Sequence, residues 1–390
     1  MRITRNRFID ITETTMVRMK SRAESFRLFA ATALLLLCLP LAEAGVAPRA
    51  RSSIHHSAVP KAVALTSKTR VASGGATAGS STADASIVRS PDDLPPPVGA
   101  RAPKLVIVHL VTEEAEARLA PGVTYTYWTF NGKVPGPMIR ARVGDRVQLT
   151  LANAPDSLMV HSIDLHAVIG PGGGAALLQV APGESKTITF KVTRPGLFVY
   201  HCATPMVAEH IASGMFGMIL VEPPGGLPKV DHEFYVMQSE FYTSGGFGEG
   251  GHQQFDAAKL IAEQPTYMVF NGAVNALKSD HPLEANVGDT VRIFFGDGGP
   301  NLTSSFHIIG EIMDKAWAWG SLSNPPERDI QTISVPPGGA LIAQFKVHVP
   351  GRYILVDHAL GRMTQGLAGY LEVRGTPAPA LYHAGPALRR

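Results

Sequence analysis

From Lys104 onward the chain is written in short apolar or alternating runs: KLVIVHLV, YTYWTF, RVQLTLA, KTITFKV, LFVYHC and MFGMILVE. Each is bounded by Gly, Pro, Asn or Asp, the residues that end strands and make turns. Alternation with a period of two over four to eight residues predicts half-buried strands, and few segments keep the 3.6 period of a long amphipathic helix. The pattern therefore predicts an all-β protein built of Greek-key sandwich or barrel domains.

The pattern also repeats. Thr126-Tyr127-Trp128-Thr129-Phe130-Asn131-Gly132 returns as Thr266-Tyr267-Met268-Val269-Phe270-Asn271-Gly272, and Val143-Gly144-Asp145 returns as Val287-Gly288-Asp289. Val180-Ala181-Pro182-Gly183 with Phe190-Lys191-Val192 returns as Val335-Pro336-Pro337-Gly338 with Phe345-Lys346-Val347. Three echoes in one order mean a duplicated domain. The expected domains are 101–225 and 226–375, meeting at Glu222-Pro223-Pro224-Gly225-Gly226, with a tail over 376–390.

Ahead of the first domain the pattern changes twice. Leu28 to Leu41 is an apolar run preceded by Arg18, Lys20, Arg22 and Arg27 and followed by Ala42-Glu43-Ala44. Fourteen residues broken by Pro40 are too short to span a bilayer, so the segment reads as a secretory signal over 1–44, with Met16 or Met19 as alternative starts. Leu36 and Leu37 stand where a lipoprotein signal wants small residues ahead of Cys38, which favours cleavage after Ala44. The expected location is periplasmic or exported, with attachment to the envelope left open. Residues 45–100 are rich in Ala, Ser, Thr, Gly and Pro and read as a flexible tether.

Charge and cysteine content narrow the chemistry. The formal net charge is +3, and the first 44 residues alone hold seven Lys/Arg against four Asp/Glu. The rest is close to neutral, which excludes a nucleic-acid partner, because a phosphate backbone needs a concentrated basic face. Of 2 cysteines, the signal removes Cys38 and leaves Cys202 alone in an oxidising compartment. A lone thiol there is buried and inert, or a metal ligand.

Cys202 stands in the pattern C-x7-H-x4-M with His210 and Met215, and His161 precedes it in H-x2-D-x-H with Asp164 and His166. One thiolate, two imidazoles and a thioether form the donor set of a mononuclear blue copper centre, Met binding weakly and axially. Alone, each residue is more simply a satisfied core side chain; together they specify chemistry. Strand parity divides them, since successive side chains point to opposite faces. His201 and Cys202 must face opposite ways, as must His161 and the pair Asp164 and His166. One face collects His161 and Cys202 with His210 and Met215; the other collects His166, His201 and Asp164. Two imidazoles rarely complete a catalytic metal site. The second repeat offers His358 in Leu355-Val356-Asp357-His358-Ala359, the counterpart of Val199-Tyr200-His201-Cys202-Ala203, and His307 in Ser305-Phe306-His307-Ile308-Ile309-Gly310.

Over residues 101 to 373 these motifs closely resemble the copper-containing nitrite reductases, enzymes of two tandem cupredoxin-like domains that work as homotrimers. The C-x7-H loop is similar to that of the branch that includes the outer-membrane neisserial enzymes, one residue shorter than in much of the family. The resemblance implies two coppers per subunit: type 1 on His161, Cys202, His210 and Met215, and type 2 on His166, His201 and His358, the last from a neighbouring subunit. It implies Asp164 and His307 as the proton-delivering pair and Ile309 as a shaper of the nitrite pocket. The implied reaction is dissimilatory-type reduction of nitrite to nitric oxide and water, with electrons from a small redox donor, a cytochrome or another cupredoxin, passing through Cys202-His201. His109, His232, His252, His281, His348 and His383 are assigned no role, and Met206 is expected to add apolar surface near the first copper.

Three competing readings remain. A two-domain multicopper oxidase needs about eight histidines, largely as His-x-His, and the sequence has no His-x-His. An electron-carrying cupredoxin would have no use for His166, His201, Asp164, His307 and His358 together. Zinc could fill the three-histidine site.

Overall fold

The computed structural model describes residues 86–385. The signal segment, the tether as far as residue 85 and the last five residues lie outside the described region. The first repeat forms β1 (Leu105–Ala120), β2 (Val123–Phe130), β3 (Ile139–Arg142), β4 (Arg146–Asn153), β5 (Asp164–Leu165), β6 (Ser185–Lys191), β7 (Gly196–His201) and β8 (Phe216–Glu222). The second forms β9 (His232–Phe241), β10 (Gly251–Gln253), β11 (Tyr267–Phe270), β12 (Leu283–Asn286), β13 (Thr290–Gly299), β14 (Ser304–Ile309), β15 (Lys315–Trp317), β16 (Thr332–Val335), β17 (Ala340–Lys346), β18 (Gly351–Asp357) and β19 (Gly369–Arg374). A six-residue helix, α1 (Val207–Ala212), interrupts the first repeat between β7 and β8.

Each repeat is a two-sheet sandwich. The first pairs the sheet β10-β2-β1-β4-β6 with β3-β8-β7-β5; the second pairs β11-β9-β13-β17-β15 with β12-β19-β18-β14-β16. The echo extends to pairing: β1 runs parallel to β4 as β9 does to β13, and β3 parallel to β8 as β12 does to β19. The echoed motifs are turns. Asn131 and Asn271 both take a left-handed backbone (φ 58° and 46°), as do Gly144 and Gly288 (φ 94° and 98°), conformations that Asn and Gly tolerate best. The sequence repeats because the turns that close each sandwich repeat.

Three apolar cores follow. One fills the first sandwich with Leu149, Leu165, Ile219 and the side chains of Cys202 and Met215. One fills the second with Phe270, Phe295, Phe306 and Leu355. The third lies between them and mixes Tyr127, Leu197 and Met218 of the first with Tyr235, Phe241 and Phe294 of the second. A buried ion network crosses the same seam: Arg140 meets Glu222 on its own sandwich and Glu233 on β9 (2.7 Å), and Glu233 also takes Arg292 of β13 (2.8 Å). Such networks add little net stability against an apolar replacement, but losing one partner strands a buried charge. Here the network ties β3 of the first sandwich to β9 and β13 of the second.

Two boundaries differ from the sequence reading. The expected tether over 45–100 ends earlier: Ile87, Val88 and Arg89 are buried. Val88 bridges Val134, and Arg89 donates from Nε to Pro135 O and accepts at its own carbonyl from Asn271 Nδ2. Two apolar residues and one arginine suffice to fasten this strap to both halves, although its average composition is that of a linker. The second difference is β10, which belongs to the second repeat in sequence but pairs with β2 of the first.

Candidate metal centres

The His201-Cys202 step at the end of β7 places two neighbouring residues on opposite sides of one strand. Cys202 turns into the first sandwich, where its Sγ lies 3.2 Å from His210 Nδ1 and 3.9 Å from His161 Nδ1, and the two Nδ1 atoms are 3.3 Å apart. His161, Cys202, His210 and Met215 are all buried. Backbone bonds clamp them together, Cys202 N donating to Met215 O and Met215 N to His210 O. Helix α1 delivers His210 from the wall opposite Cys202.

Three ligand atoms, Cys202 Sγ and the Nδ1 atoms of His161 and His210, converge on one point, the geometry of a ligand set. Burial supports it, pushing His161 and His210 down to about 4, in His161 with help from the neighbouring His210. Neutral imidazoles keep their lone pairs for a metal. The thiolate fits as well: Ser162 N donates to Cys202 Sγ at 3.4 Å, and Thr204 Oγ1 is 3.6 Å away. A soft thiolate, two imidazoles and a buried thioether match a type 1 copper.

On the other face, His201 Nε2 and His166 Nε2 are 3.2 Å apart, with rings perpendicular. The Asp164 carboxylate lies within 4.8 Å of both imidazole donors. The adjacent His201 and the surrounding protein lower His166, first by desolvation and then by charge, while Asp164 opposes them. His201 Nδ1 contacts the carbonyl of Cys202 at 2.9 Å, which orients the ring with Nε2 outward. Asp164 pairs directly with His201 across β5 and β7.

His358 is not in this group within one chain. It stands at the end of β18 beside His307, ring centroids 5.3 Å apart, and the two line an open recess of about 600 Å³ with Ser305, Gln331, Thr332 and Ala359. His307 Nδ1 lies 2.6 Å from Gln331 O, so this nitrogen carries the proton and Nε2 is left for the recess. Ile309 shares the face of β14 with His307 and is 40% exposed, while Phe306 and Ile308 point into the core. One chain thus presents two separate groups, His166 with His201 and Asp164 on one sandwich, His307 with His358 on the other.

Two family models described as multicopper oxidase match residues 112–226 and 251–376. The chain is 49% identical over 300 residues to the copper-containing nitrite reductase of Neisseria meningitidis serogroup A, an alignment spanning 76% of this chain and 77% of the relative. The chain belongs to the copper-containing nitrite reductases. A second member, from Neorhizobium galegae, is 40% identical over 266 residues, spanning 63% of this chain and 69% of that one. The solved copper nitrite reductase from Nitrosomonas europaea superposes with a TM-score of 0.63 at 33% identity, covering 70% of this chain and 96% of that one. The two sandwiches are therefore cupredoxin-fold domains of a copper oxidoreductase.

In this nitrite reductase the structure adds residues that sequence reasoning missed. Trp128 packs edge-on against His210 and His161, ring centroids 4.7 and 5.8 Å apart, and walls the first centre. Nothing in its alternating strand marked it out. Met206, expected as apolar surface, is 67% exposed at the start of α1 with φ 72°. Of the histidines given no role, His232 contacts Asp289 at 2.9 Å and His252 lies 3.5 Å from Glu116, both surface pairs.

Proposed function

We propose that this chain reduces nitrite to nitric oxide and water, taking one electron from a small redox protein and two protons from its own side chains. The observation that carries the reading is the back-to-back arrangement of two donor sets on the adjacent residues Cys202 and His201. His161, Cys202, His210 and Met215 would hold a type 1 copper; His166 and His201, joined by the partner subunit's His358, would hold a type 2 copper. When bound, these ions supply a one-electron store with soft sulfur ligation and a Lewis-acid position for nitrite oxygens.

The chain's own groups do the rest. The peptide between Cys202 and His201 is the covalent link between the two centres. Asp164, on the face of His166 and His201, holds a proton at its carboxylate where a nitrite oxygen would be cut away. His307, its Nδ1 fixed on Gln331 O, takes up and releases the second proton at Nε2. Ile309, two residues along the same face of β14 as His307, would shape the nitrite pocket. The separation of the two groups supports a homotrimer in which each type 2 site is built from two copies. The compartment is periplasmic or exported, and the electron donor is a cytochrome or a cupredoxin.

The carrier reading accounts for the first donor set only and leaves His166, His201 and Asp164 facing one another without purpose. The shared-site model is tested by mass in solution together with turnover. Three subunits are expected, and a monomer with full activity contradicts it. Met215→Ala is expected to alter the blue absorption while leaving the type 2 copper bound; an unaltered visible spectrum removes Met215 from the axial position.

A further inference from the structure

Gly172, Gly173 and Gly174 follow one another with left-handed backbone, φ 63°, 55° and 103°, and their turn packs on β5, the strand of Asp164. The middle glycine is the tightest. An ideal Cβ on Gly173 would stand 1.6 Å from Asp164 Oδ1, 2.7 Å from its Cγ and 3.0 Å from the backbone nitrogen of Leu165. No atom can occupy that point while the carboxylate keeps its place. Gly172 has the same handedness, yet a Cβ there meets nothing within 4 Å. The two positions share a backbone strain for any L side chain and differ in what a Cβ meets, above all the Asp164 carboxylate.

We propose that Gly173 is a positioning residue. Its missing side chain is the space in which the Asp164 carboxylate sits, and the glycine turn thereby sets that carboxylate on the face of His166 and His201. Any side chain at 173 drives the carboxylate out of it. A displacement of about 1 Å at a reacting group costs about 10²-fold in rate. This catalytic consequence rests on the proton role given to Asp164; the steric relation does not.

The test combines Gly172→Ala and Gly173→Ala, each alone and with Asp164→Ala, read first by thermal unfolding of the metal-free protein. Gly172→Ala is expected to lower the midpoint slightly, Gly173→Ala clearly more, and most of the excess is expected to disappear when Asp164→Ala removes the carboxylate, leaving only the 3.0 Å approach to Leu165 N. A Gly173→Ala protein that aggregates but folds once Asp164→Ala is added is the same result in stronger form. Equal midpoints for the two glycine variants, or an excess undiminished without the carboxylate, overturn the proposal.

In copper-loaded protein, Gly173→Ala is expected to lower kcat about 10²-fold, with the visible spectrum, copper content and KM for nitrite retained, while Gly172→Ala keeps kcat. Full turnover of Gly173→Ala beside an inactive Asp164→Asn overturns the positioning role. Full turnover of Asp164→Asn itself overturns the assignment of Asp164, and the unfolding data then still decide the steric relation.

Discussion

Asp164→Asn is expected to keep both coppers and the fold, and to lose about 10²- to 10⁴-fold in turnover, the usual contribution of a positioned proton donor. The amide has nearly the shape of the carboxylate, so it fills the same space beside Gly173 and leaves His166 and His201 as they are. What it cannot do is hold and release a proton at that oxygen. Visible and paramagnetic spectra that match the unmodified enzyme, together with a collapsed kcat, are the expected pair of results. Unchanged turnover would remove Asp164 from the mechanism.

The second large effect is at the end of β7, on the side facing away from His201. Cys202→Ser is expected to abolish the blue absorption and to reduce donor-dependent nitrite reduction to background. Serine fits the buried position, but oxygen lacks the softness of the sulfur that a type 1 copper needs. The type 2 copper is expected to remain, because His166 and His201 do not depend on the sulfur. Retained blue colour in the serine variant would exclude Cys202 as the ligand.

These contrasting outcomes trace to one feature that was legible in the sequence. Strand parity alone separates His201 from Cys202, and the structure places them on opposite faces, 3.2 Å from His166 Nε2 and His210 Nδ1 respectively. The duplication was legible as well, because the repeated residues are those that each turn demands, Asn131 and Asn271 among them. Less accessible were features that depend on which distant segments meet. Ile87, Val88 and Arg89 are three residues at the end of a polar tract, too few to show a period, yet they fasten the strap. Trp128 is one aromatic in an alternating strand, and only the tertiary fold lays it on His210. Gly173 is one of three identical neighbours, and only the approach of Asp164 distinguishes it. His358 shows the same limit: its spacing marks it as a ligand candidate, but within one chain it stands beside His307, apart from His166 and His201.

Electron paramagnetic resonance on the purified enzyme, with and without nitrite, decides whether two unlike copper centres are joined through Cys202-His201 with nitrite bound at the second. The expected result is a type 1 and a type 2 signal together, with nitrite changing only the type 2 signal. A type 1 signal alone, unmoved by nitrite, would contradict the account and leave an electron carrier or a zinc-filled second site.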